Sequence, residues 1–281
     1  PIAITNHGGP YLMPVPGDYD GDGIDDLALY DRETGNWHIR TLDGRVLVNG
    51  MNWGWSEATP VPGDFDGDGR ADLAVYHRAR GDWYILSLNG RILAFGANWG
   101  WPGAVPVPGD FDGDGCSDLA VYHRARGDWY IRALDGRILT FGANWGWSKA
   151  WPVTGDFDGD GCSDLAVYHR AAGLWYIRAL SGQVIAWATN WGGPTGVPVP
   201  GDYNGDGRTD LAYYNRATGD WSARTLEGDV LLSKFNWGFN GAVPAALYAS
   251  PASDGLTLYA FGDSITWGGG SSTDGPATGY P

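Results

Sequence analysis

The chain has 281 residues, 46 of them Gly and 17 Pro, with aromatics at 14%. That composition suits many tight turns joining short aromatic strands. A formal net charge of −15 argues against a nucleic-acid phosphate backbone as partner, and no run of 18 apolar residues is present to span a membrane as a helix. Two cysteines, Cys116 and Cys162, are too few for a disulfide framework.

Read from the start, Ile2–Thr5 is a short strand-like run, followed by Asn6-His7-Gly8. Gly17-Asp18-Tyr19 then opens a unit that returns as Gly-Asp-aromatic at Gly63, Gly109, Gly155 and Gly201, each step being 46 residues. Trp37, Trp83, Trp129, Trp175 and Trp221 keep the same period, as do the Asn-Trp-Gly triplets at Asn52, Asn98, Asn144, Asn190 and Asn236. Within each repeat four short β-type runs alternate with turn signals. In the third repeat they are Ala104–Pro108, Asp118–His123, Asp128–Leu134 and Arg137–Gly142. Four antiparallel strands in about 45 residues is the size of a propeller blade. The fold class is therefore all-β, a β-propeller of four-stranded 46-residue blades spanning residues 1–248. Six blades is the preferred count, with residues 242–270 supplying three strands and the N-terminal Ile2–Thr5 the fourth. A five-bladed ring with a leftover tail (249–281) is the alternative, helped by the tail's loss of the acidic loop.

The strongest chemical signal lies between the first two runs of each repeat: Asp-x-Asp-x-Asp-Gly-x-x-Asp. The copies are Asp18, Asp20, Asp22, Asp26; Asp64, Asp66, Asp68, Asp72; Asp110, Asp112, Asp114, Asp118; Asp156, Asp158, Asp160, Asp164; and Asp202, Asn204, Asp206, Asp210. Calcium takes six to eight oxygens in a flexible shell, and oxygens on alternate residues of a curled loop converge on one point. Main-chain carbonyls of Ile24, Arg70, Cys116, Cys162 and Arg208 are expected to complete the sets. The spacing matches the first nine positions of an EF-hand loop, but the Glu of position 12 and the flanking helices are missing. Clustered carboxylates repel one another without a cation. Five divalent ions would bring the net charge from −15 to about −5. Magnesium suits a dense carboxylate cage less well than calcium.

The pattern Pro-Val-x-Gly-Asp-Phe-Asp-Gly-Asp-Gly-x-x-Asp-Leu-Ala-Val-Tyr, followed by Gly-x-Trp-Tyr-Ile, resembles the FG-GAP and VCBS repeat family over residues 11–248. The resemblance implies a β-propeller, calcium in the loop between the first two strands of each blade, and an extracellular setting. It also implies roles in adhesion, in sugar binding, or as an accessory module of secreted enzymes. Asn204 departs from the pattern, and the expected carboxylates are absent from Tyr248 to Leu256.

Up-and-down strand order puts the acidic loops and the Asp-Gly turns on one face, and the Asn-Trp-Gly loops and Tyr-His-Arg turns on the other. The first Trp of each Asn-Trp-Gly loop is expected to wedge between blades. Trp55, Trp101 and Trp147, with His77, His123 and His169, are the candidate ligand-contacting residues, since tryptophan faces beside polar donors suit sugar rings. Blade symmetry spreads the histidines around a ring, so they are not expected to share a metal. Arg80-Gly81-Asp82 and Arg126-Gly127-Asp128 read as hairpin turns rather than adhesion tripeptides. Cys116 and Cys162 hold equivalent places in neighbouring blades, too far apart for a disulfide.

Residues 259–281 resemble the first block of SGNH (GDSL-type) hydrolases, whose nucleophile would be Ser264. The later Asn and Asp-x-x-His blocks are missing from the sequence, so no catalytic residue is assigned. The functional expectation is a secreted, calcium-binding, non-catalytic module for carbohydrate, with a glycan or a cell-surface or matrix ligand as partner. A structural or protein-interaction scaffold, or an accessory domain cut from a secreted SGNH esterase, is the alternative.

Overall fold

The computed structural model describes residues 11–236. They form five four-stranded antiparallel sheets, each a simple meander, and together these are the blades of a β-propeller. In blade 1 the strands are β1 (Leu12–Pro14), β2 (Leu27–Asp31), β3 (Asn36–Arg40) and β4 (Val46–Asn52). The other blades span 58–98, 105–144, 151–190 and 196–236. Five is the count of the alternative reading, not the preferred six. The strands a sixth blade would need, 242–270 and Ile2–Thr5, lie outside the described residues, as do the SGNH-like segment and Ser264.

The alternation of each blade sets its packing. The second and third strands pair Tyr with Trp directly across the ladder, as in Tyr30↔Trp37 and Tyr122↔Trp129. Trp37, Trp83, Trp129 and Trp175 are wholly buried, and each meets the Tyr opposite it at ring-centroid distances of 5.1–5.3 Å, edge-on or tilted. Such pairs add about 0.5–1.5 kcal/mol beyond the area they bury. The first strand is buried along its length in blades 2 to 5, and the fourth is largely exposed, which makes them the inner and outer strands.

The outer strand runs further than its sequence pattern indicates, ending at Asn144 in blade 3 rather than Gly142. The Asn of each Asn-Trp-Gly triplet closes the ladder. Asn144 donates to the Arg126 carbonyl at 2.9 Å and to Asp128 at 2.8 Å, tying the outer strand to the turn between the second and third strands. That turn is the Arg-Gly-Asp segment, and Arg126 pairs with Asp128 at 2.9 Å. The tripeptide is thus a folded hairpin turn. Its Gly127 has φ +79°, and a Cβ there would stand 2.1 Å from the Gly146 backbone, so this turn and the Asn-Trp-Gly loop fit only with glycine between them.

Neighbouring blades are joined at both faces. On one face, backbone amides of each acidic loop donate to the preceding loop: Ala71 to Asp18, Ser117 to Asp64, Ser163 to Asp110 and Thr209 to Asp156, at 2.5–2.6 Å. On the other, the indoles of Trp53, Trp99 and Trp145 donate to the carbonyls of Tyr84, Tyr130 and Tyr176 in the next blade, at 3.1–3.3 Å. The first Trp of each loop is therefore an inter-blade wedge, as the sequence suggested.

Candidate functional site

Each acidic loop is curled by its own first aspartate. In blade 3, Asp110 Oδ1 accepts from the amides of Gly113 (2.7 Å) and Asp114 (3.2 Å), and Oδ2 from that of Gly115 (2.8 Å). Asp18, Asp64, Asp156 and Asp202 do the same in their blades. The Gly residues at the two bends have φ near +80°, a conformation other residues enter at a cost. The last aspartate of the motif closes the loop: Asp118 Oδ2 accepts from the Phe111 amide at 2.8 Å, and Asp72, Asp164, Asp26 and Asp210 make the same bond.

The result is a concentration of carboxylate oxygen. One oxygen each from Asp64, Asp66 and Asp72 lies within 4.8 Å of the others. The same holds for Asp110, Asp112 and Asp118, for Asp156, Asp158 and Asp164, and in blade 1 for Asp18, Asp20 and Asp22. Burial, then proximity of the other loop carboxylates, pushes Asp72, Asp118 and Asp164 up to about 7, against the pull of the bond each accepts from a backbone amide. Asp26 and Asp210 are pushed up to about 6 for the same reasons. Asp66 Oδ1 and Asp158 Oδ1 are buried with no hydrogen-bond partner. A buried oxygen without a donor is costly, and in a carboxylate cluster a cation is the partner that satisfies it. The donor set is all oxygen, which suits a hard ion such as calcium.

The remaining predicted positions divide. Asp22, Asp68, Asp114, Asp160 and Asp206 are exposed. Each accepts the amide of the residue two further on (Ile24, Arg70, Cys116, Cys162 and Arg208) at 2.9–3.0 Å. In the fifth loop Asn204 donates to Asp206 at 2.9 Å, so the amide does there what no carboxylate could. Sequence reading missed Asp25, which stands where the other blades have Ala71, Ser117, Ser163 and Thr209. Burial and nearby Asp18 push its carboxyl up to about 7. Cys116 and Cys162 are unbridged, and burial pushes both thiols up to about 11.

The opposite face carries a second repeated arrangement. Between blades 2 and 3, a cleft of about 590 Å³ is lined by residues including Trp99, Trp101, His123, Tyr130, Arg132 and Phe141. Trp101 meets Tyr130 edge-on at 4.9 Å and His123 at 5.4 Å, and the Arg132 guanidinium lies over Trp99 at 5.2 Å. The same set recurs between blades 1 and 2 around Trp55, His77, Tyr84 and Phe95. It recurs between blades 3 and 4 around Trp147, His169, Tyr176 and Trp187. Phe95, Phe141 and Trp187 are 74%, 72% and 69% exposed. Each histidine belongs to a different cleft, so the three do not converge. At the blade 4–5 junction the corresponding residues are Gly193, Asn215, Ser222 and Ser233, and the aromatic set is lost as a group.

Twenty strands in five meanders, with acidic hairpin loops on one face, define a β-propeller with repeated candidate cation sites. Residues 18–75 and 64–121 match the family model described as FG-GAP-like repeat, so the chain carries FG-GAP-like repeats. No curated protein matches the chain. Among solved structures, it is similar to a lectin from Agrocybe aegerita that recognises non-reducing terminal N-acetylglucosamine (16% identity, 78% of this chain and 64% of that one, TM-score 0.52). It is also similar to a catalytically inactive variant of virginiamycin B lyase from Staphylococcus aureus with quinupristin (14%, 89% and 77%, TM-score 0.52), and to a streptogramin B lyase (13%, 85% and 74%, TM-score 0.51). Likeness at these identities shows the fold alone.

Proposed function

We propose that this chain is a calcium-binding, non-catalytic β-propeller module of a secreted protein, and that it binds carbohydrate through the clefts between its blades. Calcium in each acidic loop would be held by the loop's aspartates, with Asn204 in the fifth, and by the carbonyls of Ile24, Arg70, Cys116, Cys162 and Arg208. There it would neutralise the carboxylates and fasten the hairpin. Support comes from the buried, partnerless oxygens of Asp66 and Asp158 within their carboxylate clusters.

The observation that carries the sugar reading is the threefold recurrence of one aromatic cleft with its exposed outer aromatic, Phe95, Phe141 or Trp187. Aromatic faces offer the apolar side of a pyranose a stacking surface, while His77, His123 and His169 and the nearby arginines offer donors to hydroxyls. Trp55, Trp101 and Trp147 form the back walls rather than free platforms, since each is packed against the next blade's Tyr. A glycan array probed with the full chain in calcium and in chelator tests this: retention on a defined sugar class is expected. Silence across the array in calcium would favour the protein-interaction scaffold, which the same exposed aromatics would also serve.

A further inference from the structure

Resting on the calcium reading, a comparison of the loops with the turns beside them goes one step further. The turn between the third and fourth strands of each blade lies on the same face as that blade's acidic loop. In blade 1 it carries Arg45, which pairs with Asp20. In blade 3 it carries Arg137, whose Nη2 stands 2.6 Å from Asp112 and 3.7 Å from Asp114. The Asp20 and Asp112 side chains are only 7% and 12% exposed, while the arginines are 60% and 53% exposed. A solvent-side cation thus reaches in to a nearly buried carboxylate. The same register holds Arg91 in blade 2, Gln183 in blade 4 and Asp229 in blade 5.

Blades 3 and 4 make a controlled comparison, because residues 109–123 and 155–169 are identical in sequence. What differs is the surroundings. Asp112 Oδ2 has Arg137 beside it, whereas the blade of Asp158 carries Gln183 at that register and leaves Asp158 Oδ1 unpartnered. The next loop adds Cys162 beside loop 3 and Arg208 beside loop 4, but Arg208 is paired with Glu227 at 3.1 Å.

We infer that Arg45 and Arg137 are built-in counter-cations that compete with the divalent ion for the second aspartate of their loops, so that chemically equal sites in one propeller differ in affinity. An arriving ion must either displace the guanidinium or accept a like charge a few ångströms away, and both weaken binding. The arginine also relieves carboxylate repulsion in the metal-free loop, which lowers the gain from loading. Because each arginine is more than half exposed, the effect is modest, about three- to tenfold in affinity at moderate salt.

The test is calorimetric titration of the decalcified full chain with calcium chloride, comparing the wild type with Arg137→Gln and with Gln183→Arg, and melting each protein in chelator. Arg137→Gln is expected to tighten one site about three- to tenfold and to lower the melting temperature in chelator. Gln183→Arg is expected to weaken one site by a similar factor. Unchanged affinities in both variants, or weaker binding by Arg137→Gln, would overturn the inference while leaving calcium binding intact. A wild-type chain that takes up no calcium would overturn the calcium reading itself and this inference with it.

Discussion

Replacing Asp110 with alanine removes the residue around which loop 3 is wound. Three backbone amides, those of Gly113, Asp114 and Gly115, lose their acceptor at 2.7–3.2 Å, while the Asp110 carbonyl keeps its bond from Ser163. A charge-assisted hydrogen bond contributes about 1.5–3 kcal/mol net. These amides lie near solvent and recover part of that from water, so the loss in chelator is about 2–4 kcal/mol. In calcium the variant also loses the linkage stabilisation of its own site, about 2.7 kcal/mol when free calcium is a hundred times the dissociation constant. Asp110→Asn keeps an oxygen for Gly113 and Asp114 and is expected to fall between the two in chelator. The assay is urea unfolding of the three proteins, with and without calcium. Equal losses for Asp110→Ala in calcium and in chelator would refute a cation in this loop, and no loss in either would refute the winding role of the carboxylate.

Three other outcomes are expected. Gly81→Ala places a Cβ 2.1 Å from the Gly100 backbone at φ +79°, and urea titration should show a loss of about 2–5 kcal/mol, from left-handed strain and overpacking together. In metal-free protein, Asp72, Asp118 and Asp164 titrate near 7 when folded and near 3.9 when unfolded. The folded chain therefore binds more protons between those values, and stability should fall as pH rises from about 4 to about 7. Calcium, which binds the ionised form, should reverse that slope, and melting curves across pH in calcium and chelator read both signs. Phe141→Ala, at an exposed side chain, should lower retention on a responding glycan several-fold while moving the melting temperature little; unchanged retention would place the sugar elsewhere.

Much of this was legible in the sequence because a repeat of 46 residues exposes its own grammar. Buried positions such as Trp83 and Trp129 recur without change, and Asp-Gly turns mark every hairpin. The two faces also followed from strand order, as the Arg45–Asp20 and Trp101–His123 contacts show. The clefts were only half legible. Trp101 and His123 were found, but Phe141 was not, because the outer strand carries a bulge between Tyr130 and its partners that turns Phe141 outward against the simple alternation. Arg137 was also missed as a partner of the acidic loop. It lies 23 residues beyond Asp114, and only folding back of the meander brings the two together.

The central claim is that the acidic loops hold divalent cations that fasten the blades. Equilibrium dialysis of the full chain against calcium, with bound metal counted by elemental analysis and the melting temperature followed in the same samples, tests it most directly. The account predicts about five calcium ions per chain, one for each Asp-rich loop, and a melting temperature that climbs with occupancy. A chain that melts at the same temperature with and without chelator and retains no calcium would contradict it.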